Sequence, residues 1–195
     1  MNIHNAIRGM RNPMNSWNNS DSNFYYCNSE KRDKFRIGKK DKELAMRLIK
    51  TGTDHSKFLR QIFVSIDITA PLCWWKDFDT YKISTVSNSC STMHKLGSRE
   101  LTVEDFSWDE LTTWRKSYLI HINELIGKWR NSKSEKNFRE MIHDLLDSYN
   151  QKRTWSGNYQ NLRNIYFGRK SHKQREFRDF CEEIKLLPYS EFITE

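Results

Sequence analysis

Residues 61–78 read QIFVSIDITAPLCWWKDF, and two periodicities meet inside them. Ile62, Val64, Ile66 and Ile68 alternate with Phe63, Ser65 and Asp67, the two-residue repeat of a half-buried strand. Pro71 has no backbone N–H and a preset φ, so it closes that strand and opens a helical turn through Trp74, Trp75 and Phe78. Upstream, residues 42–51 predict a short helix with Leu44, Leu48 and Ile49 on one side and Gly52 as its stop. Further back, the first 30 residues hold eight Asn, a composition of turns and caps. Residues 1–40 are therefore read as a polar, basic and irregular segment.

Downstream, residues 83–91 (ISTVSNSCS) are small, hydroxylated and β-branched, which suits a strand or extended loop. Helical spacing then dominates. Ser107-Trp-Asp-Glu110 has the capping-box pattern ahead of Leu111, Trp114, Tyr118, Leu119, Ile122, Leu125, Ile126 and Trp129. Ser132-Lys-Ser-Glu135 opens a second helix with Phe138, Met141, Ile142, Leu145, Leu146 and Tyr149 inward. A third spans 155–167, with Gly168 as its interruption. Ser171-His-Lys-Gln174 caps a fourth bearing Phe177, Phe180, Ile184 and Leu187. The expected class is α+β: an antiparallel sheet packed with several helices, helix-rich in its C-terminal half, in one domain over 1–195.

The composition supports a packed core of unusual make-up. Seven Trp, eight Tyr and eleven Phe among 195 residues offset a scarcity of aliphatic side chains and exclude disorder throughout. No apolar run reaches the length a membrane helix needs, and the start has no apolar core of a signal peptide. Cys27, Cys73, Cys90 and Cys181 show no CxxC pairing, so a reducing cytoplasm and no metal site are expected. The net charge is +8. Residues 31–50 hold nine Lys or Arg against three acids, either a solvated face or a guide for a phosphate-bearing ligand or nucleic acid.

Two places carry possible chemistry. On the third helix, Tyr159, Leu162, Ile165 and Tyr166 form the apolar side, and Asn158 and Arg169 project onto that same stripe. A guanidinium there needs a carboxylate of its own chain or a ligand. Gln160 and Asn164 stand one turn apart on another side, available to a second element or subunit. The 83–91 segment offers hydroxyls and backbone N–H groups that can cradle a phosphate or sugar. Cys90 has no base assigned to it by spacing.

Residues 41–93 and 149–184 resemble the flavin-dependent thymidylate synthases. The family's Gly-His-(Glu)-(Thr/Ser)-Pro-Phe turn corresponds to Gly52-Thr-Asp54-His55-Ser56-Lys57-Phe58, and its Ala-Pro pair to Ala70-Pro71. Its Arg-His-Arg signature falls on Thr80, Tyr81 and Lys82, and its serine on Cys90 with Ser91 beside it. The C-terminal pattern Asn-x-Arg-x-x-x-Asn-x-x-x-x-Arg is met by Asn158, Asn164 and Arg169, with Gln160 in place of the first Arg. The stretch Ser171-His172-Lys173-Gln174-Arg175-Glu176 echoes the family's next motif.

This resemblance implies homotetramers that bind FAD and dUMP where subunits meet, and that methylate the uracil with methylenetetrahydrofolate and NADPH. By position, Arg169 would polarise the uracil. Asn158, Gln160 and Asn164 would contact the flavin, Ser56 its phosphate region, and Tyr81 and Lys82 the bound cofactor. Lys82, Asn88, Cys90 and Ser91 would line the dUMP site. The alternatives are a nucleotide-binding protein of the same fold without the chemistry, and a basic nucleic-acid binder.

Overall fold

The computed structural model describes residues 2–195. In chain order its elements are α1 (Ile3–Gly9), β1 (Asn23–Cys27), β2 (Arg32–Arg36), α2 (Lys39–Thr51), β3 (Phe63–Pro71), α3 (Leu72–Phe78) and β4 (Val86–Ser89). There follow α4 (Thr92–Lys95), α5 (Thr113–Ser132), α6 (Glu135–His143), β5 (Asn150–Asn158), α7 (Tyr159–Arg169), α8 (Arg175–Lys185) and α9 (Glu191–Thr194). The class is α+β, as the periodicities require. Two compact units are formed. One takes the chain up to Ser65 with Ile83–Thr85 and Ser156–Glu195; the other takes Ile66–Lys82 and Val86–Trp155.

In the first unit, Ile3, Ala6 and Ile7 of α1, Ala45 and Ile49 of α2, and Leu162 and Ile165 of α7 are buried. So are Phe177, Phe180, Cys181 and Ile184, which recur at helical spacing along α8. Burial pushes the Cys181 thiol up to about 11, with Glu182 adding to the effect. Gly52 ends α2 at φ 123, a conformation that strains any residue with a Cβ.

The N-terminal segment is not irregular. Residues 3–9 are helical because Ile3, Ala6 and Ile7 share one side, and residues 23–36 make an antiparallel hairpin pairing Phe24 with Phe35 and Tyr25 with Lys34. A buried ion pair closes this region. Arg11 Nε donates to Asp41 Oδ1 at 2.5 Å, with the two side chains 6% and 0% exposed. The hydroxyls of Ser20 and Ser22, and the Ser22 N–H, donate to the other carboxylate oxygen. Both oxygens of the Asp41 carboxylate thus have donors, which is what makes a buried charge tolerable.

In the second unit, β5 lies between β3 and β4. Thr154 donates to Asp67 at 2.6 Å and the Leu72 N–H to the Tyr149 carbonyl at 3.0 Å, an antiparallel register between β3 and β5. Ring packing fills one core: Trp74 stacks on Phe78 at 4.4 Å, and Trp75 and Trp155 meet Phe78 edge-on. A second cluster joins Leu96, Leu101, Phe106, Tyr118, Ile122, Leu125, Ile126 and Met141. Gly97 has no room for a Cβ, which would meet the Trp129 ring at 2.3 Å.

Several expected boundaries move, each for a local reason. Trp155 belongs to β5, where Gln151, Trp155 and Gly157 alternate as buried positions, so the third helix begins at Tyr159. Gly168 does not interrupt it, and the helix runs on to Arg169. Ser107 caps nothing: its hydroxyl donates to Asn150 and its N–H to Ser148. The capping box sits instead at Thr102–Asp105, and α5 starts from Thr112. Ser134, not Ser132, caps α6. The Ser171 hydroxyl caps no helix, since α8 is preceded by Gln174, whose N–H donates to His172 Nδ1.

Candidate functional site

The residues singled out in sequence fall into two groups, one in each unit. In the first unit, the junction of β5 and α7 sets the geometry. Asn158 is buried at the N-cap. Its Oδ1 accepts from the Asn161 N–H at 3.0 Å, and Asn161 Oδ1 accepts from the Asn158 N–H at 3.1 Å. This reciprocal pair starts the helix, and Asn161 Nδ2 donates onward to the Ile83 carbonyl.

Two residues on, in the first turn of α7, Gln160 is 8% exposed. Its Nε2 donates to Asn164 Oδ1 at 2.9 Å, while its Oε1 is buried with no hydrogen-bond partner among the described residues. Asn164 is exposed. Arg169 closes α7 half-buried, with its guanidinium 4.8 Å above the Phe177 ring. His172 meets the same ring edge-on at 4.9 Å. Ser56 is buried and donates its hydroxyl to the Gly52 carbonyl at 3.1 Å, so that oxygen serves the turn after α2.

In the second unit, Thr80 donates to the Asp77 carbonyl. Tyr81 is half-buried, and Lys82, Asn88 and Cys90 are exposed. The Ser91 hydroxyl accepts from the His94 N–H and caps α4. The backbone around Cys90 is held firmly. Its N–H donates to the Lys152 carbonyl at 2.9 Å, and its carbonyl accepts from Gln151 Nε2 at 2.8 Å.

Arg153 is the member that sequence reading passed over. Its Nε donates to Gln151 Oε1 at 2.9 Å, its Nη1 reaches both Asp79 oxygens, and its guanidinium lies 4.3 Å above Trp75. One arginine therefore ties the turn at residues 79–81 to β5. The two-residue alternation of Gln151 with Arg153 was the available signal, obscured once 155–167 was read as helix.

With these geometries in hand, the fold is that of the flavin-dependent thymidylate synthases. A crystal structure of flavin-dependent thymidylate synthase ThyX from Helicobacter pylori complexed with FAD and dUMP matches with a TM-score of 0.74 at 15% identity. The match covers 100% of this chain and 93% of that one. A second ThyX structure from Helicobacter pylori, also with FAD and dUMP, gives 0.73 at 17% identity, over 100% and 92%. No protein-family model and no curated protein matches. Among the described residues no helix is long and apolar enough to cross a membrane.

Proposed function

We propose that this chain is a divergent flavin-dependent thymidylate synthase-like protein that binds FAD and dUMP. Its reaction is then reductive methylation of dUMP, or of a related pyrimidine nucleotide, with methylenetetrahydrofolate and NADPH as co-substrates. The observation that carries the reading is Gln160: a buried carboxamide whose oxygen awaits a donor, on the helix that ends in Arg169, in a fold whose solved neighbours hold FAD and dUMP.

A carboxamide offers both a donor and an acceptor, which suits the imide edge of a flavin or uracil ring. Asn164 beside it and Arg169 on the same helix extend that set with further donors. Bound flavin supplies the redox chemistry that no side chain provides. This chain's part is to orient the rings through Gln160 and Asn164, and to stabilise negative charge developing on the uracil through Arg169. Phe177 under the guanidinium fixes its plane. Homotetramer formation in the cytoplasm belongs to the same reading.

The residues fit the heterocycles better than the phosphates. At positions 80–82, Lys82 is the lone cation, and lysine lacks the bidentate fork that favours phosphate. That observation, with Asp54 standing where the family has histidine, favours a second reading: a nucleotide-binding protein without methylation.

Purified protein incubated with FAD, NADPH and methylenetetrahydrofolate should convert dUMP to dTMP. Arg169→Ala should lose roughly tenfold or more in dUMP affinity or turnover, as expected for one charge-assisted contact, with unchanged melting. Binding of dUMP without turnover would select the second reading. Absence of both flavin and dUMP binding would remove the first and second alike.

A further inference from the structure

A cavity of about 260 Å³ opens in the N-terminal part of the first unit, walled by His4, Phe24, Phe35, Trp17, Arg8 and Arg11 among others. Three of the rings hold one another. His4 meets Phe24 at 5.3 Å and Phe35 at 6.0 Å, and Phe24 meets Phe35 at 5.2 Å. If the hairpin served only to cover α1, its rings would be buried. Instead Phe24 is 59% exposed and Trp17 44%, so the cavity presents aromatic surface to whatever enters.

Its charge is one-sided. Among the described residues no carboxylate lines the cavity. The charge of Arg11 is matched by Asp41, and the Ser20 and Ser22 hydroxyls on the wall are spent on that same carboxylate. Arg8 is different: it is exposed on the rim of the cavity, and its guanidinium makes no hydrogen bond or ion pair with the described residues. An uncommitted guanidinium beside aromatic rings suits a flat ring bearing a carboxylate, which stacks on the rings and accepts two parallel N–H bonds. The volume lies just below the roughly 300–1,000 Å³ of sites for larger ligands, which limits the occupant to a small ring system.

We propose that this cavity is a binding site for a planar aromatic carboxylate, independent of the flavin and nucleotide reading above. Isothermal titration calorimetry on the full chain, with 2-aminobenzoate and its neutral counterpart 2-aminobenzamide, tests it. The acid should bind with a Kd of about 1 mM or tighter, as a ligand of this size allows, and the amide about tenfold more weakly.

Arg8→Gln should abolish the preference for the acid, and Phe24→Ala should weaken both probes, with saturating dUMP leaving the heats unchanged. Should Phe24→Ala unfold the hairpin, the exposed Arg8 variant still decides the matter. No heat from the acid, equal affinity for both probes, an unaltered preference in Arg8→Gln, or displacement by dUMP would each overturn the proposal.

Discussion

Along the start of α7 the polar side chains are drawn inward and bonded to their own chain: Asn158 to Asn161, and Gln160 to Asn164. Between residues 79 and 91 the backbone is fastened, at Cys90 on both sides, yet Lys82, Asn88 and Cys90 hold their side chains in solvent. A polar group costs stability to bury unless it is satisfied internally, and Gln160 Oε1 is buried with no hydrogen-bond partner among the described residues. A polar group on the surface carries no such obligation. The two regions therefore answer mutation differently.

The strongest departure should come from the most inward-drawn carboxylate in the protein. Asp41→Ala leaves Arg11 buried and uncompensated, and should cost about 3–5 kcal/mol in urea unfolding. Burial alone would raise the Asp41 pKa, but donation from Ser20, Ser22 and Arg11 outweighs it and the net shift is downward. Its stabilising contribution is then complete above the unfolded carboxylate range near ~3.9 and is lost as pH falls below that. The acid limb of the stability profile should flatten in the variant.

Next comes Gln160→Leu. Removing an unsatisfied buried oxygen should leave stability unchanged or raise it, by up to about 1–3 kcal/mol, while flavin or dUMP binding falls. A large loss of stability without ligand would show that Gln160 is already satisfied. Asn158→Ala should cost about 0.5–2 kcal/mol through loss of the helix cap, read from thermal melting. Cys90→Ala should move stability by no more than about 0.5 kcal/mol, because only its backbone is held. A greater change would erase the contrast between the two regions.

Much of this fold was legible before coordinates. The alternation at 62–68, the break at Pro71 and the stop at Gly52 all survive, because each rests on a local backbone preference. What was hidden depended on contacts far along the chain. The last residues of the strand at 150–158 read, from Trp155 onward, as the start of the third helix, whereas Trp155 packs on Phe78 from α3. The N-terminal hairpin was masked by its asparagines, and cross-strand Phe24 and Phe35 outweighed them. Ser107 had the sequence of a cap, but Asn150 claimed its hydroxyl.

The candidate site divides along the same line. Asn158, Gln160, Asn164 and Arg169 could be grouped from spacing on one helix. Arg153 could not, since its partners Asp79 and Trp75 lie more than seventy positions away.

The unequal placement of the thiols has a practical outcome. Cys181 is sealed in the core and stays protonated across the working range, whereas Cys73 and Cys90 stand open to reagents. In a Cys27→Ser, Cys73→Ser background, a maleimide dye would attach chiefly at Cys90, just past the end of β4. That gives an optical reporter at the edge of the second unit whose installation leaves the hydrophobic interior untouched.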